Sequence, residues 1–214
     1  MFSLSKLQER IYLLNFDNRY DVAMTFLRYQ EFYESDNLQF KGRAFTISEY
    51  MAWYTRNRGQ QSFTYPTDWC GFNIPIKVIK EVQDLHISDV NSYDGLMAGV
   101  MGLINSESQD AYLIGTSKHQ SEIIAHERAH GLFYTNHSYR DRAAEIISRA
   151  STVLINALCD KLGNMGYHSD VWHDEIQACS VCGQRLIEGD AASNSAHVRL
   201  MEEMGDLYQG FLPS

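Results

Sequence analysis

Apolar residues recur at three- and four-residue steps through the first third of the chain, where Val22, Phe26, Tyr29, Phe32 and Tyr33 predict one face of a helix. Thr46-Ile-Ser-Glu49 has the form of a capping box and opens a second helix carrying Met51, Trp53 and Tyr54. These aromatic side chains are expected to pack. From Asn57 to Asn73 the pattern is broken by Gly59, Pro66 and Gly71, which predicts a turn-rich connector. The stretch from Asp68 to Pro75 reads as a loop that caps the core, with a pocket lining as the alternative. Pro75 suits the first turn of a helix carrying Ile76, Ile79 and Val82, and a short helix is expected from Asp94 to Ile104. Ala111-Tyr-Leu-Ile-Gly115 is the one clear strand candidate, followed by a helix from about Gln120 to Tyr134. A long helix is predicted from Tyr139 to about Leu162, with Ala143, Ala144, Ile147, Ala150, Leu154 and Leu158 on its buried side and Gly163 and Gly166 ending it. Further helices are expected from Val171 to Cys182 and from Ser195 to Tyr208.

The pattern predicts a mainly helical α+β fold. It shows no internal repeat and no dividing linker, so residues 1–214 read as a single domain. Within it lie a mainly helical part over 1–110, a central part over 111–182, and a C-terminal helix within 183–214. Composition agrees, since 44% apolar and 21% charged residues with only 3 Pro describe an ordered chain. The formal charge of −9, with no basic run, argues against nucleic-acid or anionic-membrane partners. Lys6, Glu9, Arg10, Asp17 and Arg19 interrupt the first twenty residues, so no signal peptide is expected, and no apolar stretch is long enough to span a bilayer. A cytoplasmic protein with reduced thiols at Cys70, Cys159, Cys179 and Cys182 is the expectation.

Chemistry is concentrated in Ile123-Ile-Ala-His126-Glu127-Arg-Ala-His130-Gly131, which places His-Glu-x-x-His in a helical pattern. Residues four apart lie about 40° apart around a helix, so both imidazoles can reach one ion. Glu127 lies about 100° from His126, where its carboxylate can reach a metal-bound water. A chance match to this motif has a probability of roughly 2% for a chain of this composition. Ala125, Ala129, Leu132 and Phe133 would dock the helix on the core.

A catalytic zinc needs a third protein ligand. His137 sits seven residues after His130, one position too far for the metzincin pattern, and Phe133 stands where that pattern has glycine. Asp141 and Glu145 open the next helix, where carboxylates also favour the positive end of the helix dipole. The stronger candidate is Glu175 in Trp172-His-Asp-Glu175-Ile-Gln-Ala178, on a short helix of its own.

These residues together resemble the zincin metallopeptidases, and among them the gluzincin branch, whose third ligand is a glutamate on a later helix. The resemblance covers about 55 residues and implies a zincin-like fold: a small sheet and an active-site helix. It implies His126, His130 and Glu175 as Zn²⁺ ligands, Glu127 as general base, and a peptide or protein substrate. It further implies that the strand before the active helix is an edge strand that pairs with an extended substrate. Where some gluzincins carry an aspartate that orients a histidine ligand, this chain has Cys179, leaving Asp174, Asp170 and Asp141 as candidates for that role.

The expected function is that of a zinc-dependent hydrolase, a metallopeptidase using metal-activated water. The alternatives are a non-catalytic metal-binding or interaction module, and a non-haem iron enzyme with the same ligands. Cys179 and Cys182 form a Cys-x-x-Cys that reads as two small buried residues, with a structural zinc completed by Cys159, Cys70 or His173 as the alternative. His168, His173, Tyr134, Tyr139 and Tyr167 are candidates to donate to a developing oxyanion.

Overall fold

A tight hairpin opens the chain, where the sequence pattern signals only helices. Strands β1 (Phe2–Gln8) and β2 (Ile11–Phe16) pair antiparallel around a turn in which Arg10 takes a left-handed φ of 64°. Such turns are usually marked by Asn-Gly or Asp-Gly, and a Glu-Arg turn carries no such signal. The computed structural model describes residues 1–35, 37–104, 110–118, 120–165, 167–188 and 191–213. It is mainly helical α+β, and it forms two compact units, residues 1–120 and 121–214.

In the first unit, helix α1 (Arg19–Glu34) starts at Asn18, whose side chain accepts from the Asp21 amide. Helix α2 (Ile47–Asn57) starts with the predicted Thr46–Glu49 capping box. Helix α3 (Tyr65–Asp68) is one turn long, and β3 (Gly71–Pro75) follows it. The expected loop there is thus a strand whose Phe72 and Ile74 lie in the core. Pro75 stands at the N-cap position of α4 (Ile76–Gln83), one residue before the helix, and α5 (Ser92–Ile104) precedes β4 (Tyr112–Ser117).

The sheet order is β1-β2-β4-β3, with β2 and β4 parallel and β3 and β4 antiparallel. All six residues of β4 are buried. This corrects the expectation of an edge strand, because both edges of β4 are already hydrogen-bonded and leave nothing for a substrate backbone to pair with. At Gly115 a Cβ would stand 2.3 Å from the Phe26 ring, so glycine is what lets α1 lie this close to β4.

The aromatic residues of the first unit pack, as expected: Tyr50 contacts the rings of Phe40, Phe45, Trp53, Tyr54 and Tyr65. Arg28 crosses this core, with its side chain only 3% exposed. Its guanidinium donates to Asp94 at 2.9 Å, to Asp89 at 3.1 Å and to the Phe45 carbonyl at 2.6 Å.

The second unit is all helical among its described residues: α6 (Ser121–Thr135), α7 (His137–Arg149), α8 (Thr152–Asn164), a single 3₁₀ turn (Ser169–Val171), α9 (Trp172–Val181) and α10 (Ala191–Gln209). The predicted long helix is therefore two. Ala150 is extended, with ψ of 156°, and Ser151 caps α8 by accepting from the Leu154 amide at 3.1 Å. The apolar periodicity runs unbroken across this cap, which hides it from a pattern reading. Gly163 lies inside α8, and Gly166 lies outside the described residues. Leu132, Tyr139, Ala143, Leu158, Leu162, Ile176 and Met204 are all buried in this unit. Among the described residues, no helix is long and apolar enough to cross a membrane.

Candidate metal centre

Helices α6 and α9 bring the two motif segments together inside the second unit. His126 and His130 project from one face of α6, with ring centroids 4.8 Å apart and planes at 80°. Their Nε2 atoms approach to 3.1 Å. Glu175 of α9 faces the same point, with Oε2 3.9 Å from His126 Nε2 and Oε1 3.7 Å from His130 Nε2. Among the described residues these three form the group able to hold a metal ion, with candidate ligand atoms within 4.8 Å of one another.

Three observations test whether they fit one. First, taking one ligand atom from each residue, the three lie within 4.8 Å of one another, and the two Nε2 atoms at 3.1 Å are close to the about 3.4 Å edge of a tetrahedron with Zn–N bonds of about 2.1 Å. Second, Glu175 Oε2 is buried with no hydrogen-bond partner. A buried carboxylate oxygen left in that state is costly, and a cation satisfies it. Third, both histidines are engaged at their outer side. His130 Nδ1 donates to Asp174 Oδ1 at 2.9 Å. The His126 ring is hydrogen-bonded by the Ala178 backbone, and its Nδ1 lies 3.7 Å from the Cys182 thiol. Each ring is thereby held with Nε2 facing inward, and two ring nitrogens at 3.1 Å need a proton or a cation between them. The three residues could hold a metal ion.

The partners follow from helix register. Asp174 and Ala178 are four apart on α9 and Cys182, its C-cap, is four further on, which keeps them on one stripe. Asp174 meets His130 while Ala178 and Cys182 meet His126, so the two helices run antiparallel with matching four-residue steps. Asp174 and Glu175 also occupy the first turn of α9, where the helix dipole favours carboxylates.

The electrostatics of the site follow from burial and from its carboxylates. Burial lowers His126 to about 3, with the neighbouring His130 adding to the effect, so the ring is a neutral ligand. Burial also opposes charge on His130, but the Asp174, Glu175 and Glu127 carboxylates overcome it and raise that ring well above the ordinary histidine value. Burial pushes Glu175 up to about 7, opposed by His130 and reinforced by Asp174 and Glu127. Glu127 is only 6% exposed and is not one of the converging three. Its charge is felt at His130, Glu175, Cys179 and Cys182, which places it beside the centre.

The other sequence candidates fall elsewhere. Glu145 is exposed and paired with Arg149 at 3.4 Å, Asp141 is exposed, and the exposed His137 contacts Arg140. None of the three joins the cluster. Of the three aspartates named for orienting a histidine, Asp174 does so, whereas Asp170 is 82% exposed beside His168. His173 is exposed, and Tyr134 and Tyr167 are partly buried. Tyr139 is fully buried and donates to Gln177 Oε1 at 2.7 Å, so its hydroxyl is already committed. Cys179 is buried, and the Cys182 thiol points at the Cys179 carbonyl at 3.3 Å. All four cysteines are free thiols.

Gln177 and the Ala178 backbone take part in the site without having been singled out in the sequence. A buried glutamine three residues after an aspartate on one helix face is a weak signal, and a backbone carbonyl gives none. Compared with protein-family models, with curated proteins and with solved structures, the chain matches none.

Proposed function

We propose that this chain is a zinc-dependent hydrolase, a metallopeptidase acting on peptide or protein substrates. The observation that carries the reading is the convergence of His126 Nε2, His130 Nε2 and the Glu175 carboxylate beside a buried Glu127. His126, His130 and Glu175 would hold the ion. Zinc in such a site supplies Lewis acidity, making water a competent nucleophile near neutral pH and polarising a carbonyl. Glu127 takes the proton of the attacking water and passes it to the leaving amine. Asp174 holds His130 in the tautomer that leaves Nε2 free to bind.

The test has two parts. Elemental analysis should find one zinc per chain in wild type and little in His126→Ala or Glu175→Ala. Glu127→Gln should keep its zinc and lose peptide hydrolysis by roughly 10²–10⁴-fold. Stoichiometric zinc in His126→Ala, or undiminished hydrolysis in Glu127→Gln, overturns the proposal. A second reading has the same donor set in its favour, since two histidines and one carboxylate also suit Fe(II). Iron in protein purified without added metal would select it. Zinc with no turnover in either wild type or Glu127→Gln would select a binding module.

A further inference from the structure

Behind the metal-binding trio, a line of hydrogen-bonded side chains runs through the second unit from α7 to α6. Tyr139 Oη donates to Gln177 Oε1 at 2.7 Å, and Gln177 Nε2 donates to Asp174 Oδ1 at 2.9 Å. His130 Nδ1 donates to that same oxygen at 2.9 Å. Tyr139 and Gln177 are both 0% exposed. Tyr139 is itself fixed at the start of α7, where its amide donates to the Asn136 side chain and its ring packs edge-on against Phe211.

The line has a direction set by chemistry. A tyrosine hydroxyl seeks an acceptor here, and Gln177 offers only its Oε1, so the amide NH₂ must turn to Asp174. Flipping the amide would set its carbonyl oxygen against the carboxylate and leave the hydroxyl facing two N–H donors. Asp174 keeps a side-chain exposure of 26%, enough to admit a rotamer turned to water. Two donors on its Oδ1 remove that freedom, and the oriented carboxylate in turn fixes the His130 ring.

We infer that Gln177 and Tyr139 are positioning residues of the metal centre, acting through Asp174 to aim His130 Nε2 at the ion. The inference rests on the metal-binding reading of the site. It extends the centre to a second and a third layer, so that α7 takes part in metal binding without contributing a ligand.

A Co²⁺ titration of the full chain tests it, because the visible spectrum of bound Co²⁺ reports ligand geometry. Gln177→Met, similar in shape but unable to donate, should weaken Co²⁺ binding by about three- to tenfold, a step below the 10–100-fold of a direct partner. Tyr139→Phe should act in the same direction and to a smaller extent, and it guards against failure of the first variant to fold. In an Asp174→Ala background, Gln177→Met should have less than about a twofold effect, since its route to the ion is gone. Equal losses in both backgrounds would mean a merely structural role and overturn the inference, as would unchanged affinity and spectrum in a folded Gln177→Met. If wild type takes up no Co²⁺, the proposed function fails, and the relay is read in metal-free protein by NMR. There the His130 Nδ1 proton should be protected in wild type and exchange rapidly in Gln177→Met, and identical spectra would sink it.

Discussion

Removing the charge of Asp174 while keeping its shape isolates how much of the proposed site's metal affinity would come from outside its three proposed ligands. In Asp174→Asn the side-chain oxygen can still accept from His130 Nδ1, so the ring stays oriented while a negative charge is lost. The carboxylate oxygen lies 2.9 Å from Nδ1. Crossing the imidazole and a Zn–N bond of about 2.1 Å puts it about 6.5 Å from the ion. Coulomb attraction between −1 and +2 at that distance is about 1 kcal/mol in bulk water and about 5 kcal/mol at an effective dielectric of 20. An aspartate with 26% of its side chain exposed lies between these limits. Asp174→Asn should therefore weaken zinc binding at least tenfold, about 1.4 kcal/mol. Asp174→Ala, which also frees the ring, should weaken it further. Competition against a chromophoric chelator at pH 7.5 measures both. Zinc affinities within twofold of wild type in the two folded variants would refute the argument that Asp174 belongs to the centre.

Other expectations are independent of that one. Glu175, raised to about 7 by burial, carries a stability cost in metal-free protein that appears as pH rises from its ordinary value of 4.5 through 7. Below 7 a proton competes with the ion, so the rise in melting temperature on adding zinc should be larger at pH 8 than at pH 6; an equal or reversed increment would contradict it. His126 is lowered to about 3 by burial, so its neutral form stabilises the fold above pH 6.5 and that contribution is lost as pH falls towards 3. His126→Gln should flatten the acid limb of the metal-free stability profile. Gly115→Ala forces a methyl against the buried Phe26 ring and should cost about 1–3 kcal/mol in urea unfolding. Arg28→Met strands the Asp94 and Asp89 carboxylates and should cost about 3–5 kcal/mol by the same assay.

How far the sequence carried depends on where each signal is stored. The two histidines and Glu127 are legible because one helix fixes their spacing, and Glu175 because a short acidic segment had few competitors. The Thr46–Glu49 cap was legible for the same local reason. The hairpin of β1 and β2 was not, because Arg10 takes the left-handed position that glycine or asparagine would have advertised. Nor was the division between α7 and α8, since Ser151 caps α8 in the middle of a continuous apolar stripe. Strand β4 was found, but its interior place in the sheet depends on pairing with β2 and β3, from distant parts of the chain.

The segments His126–His130 and Asp174–Ala178 both lie in the second unit. What unites them is an antiparallel match of two four-residue steps, His126 to His130 on α6 and Ala178 to Asp174 on α9. One helix carries the two imidazoles and Glu127. The other carries Glu175 and, on the adjacent stripe, the groups that hydrogen-bond both rings. An ion held there would join α6 to α9 at Glu175 alone, while Asp174 and the Ala178 backbone join them with no ion at all. The frame of the site therefore stands without an ion, and the Asp174, Glu175 and Glu127 carboxylates that raise His130 would favour a cation there.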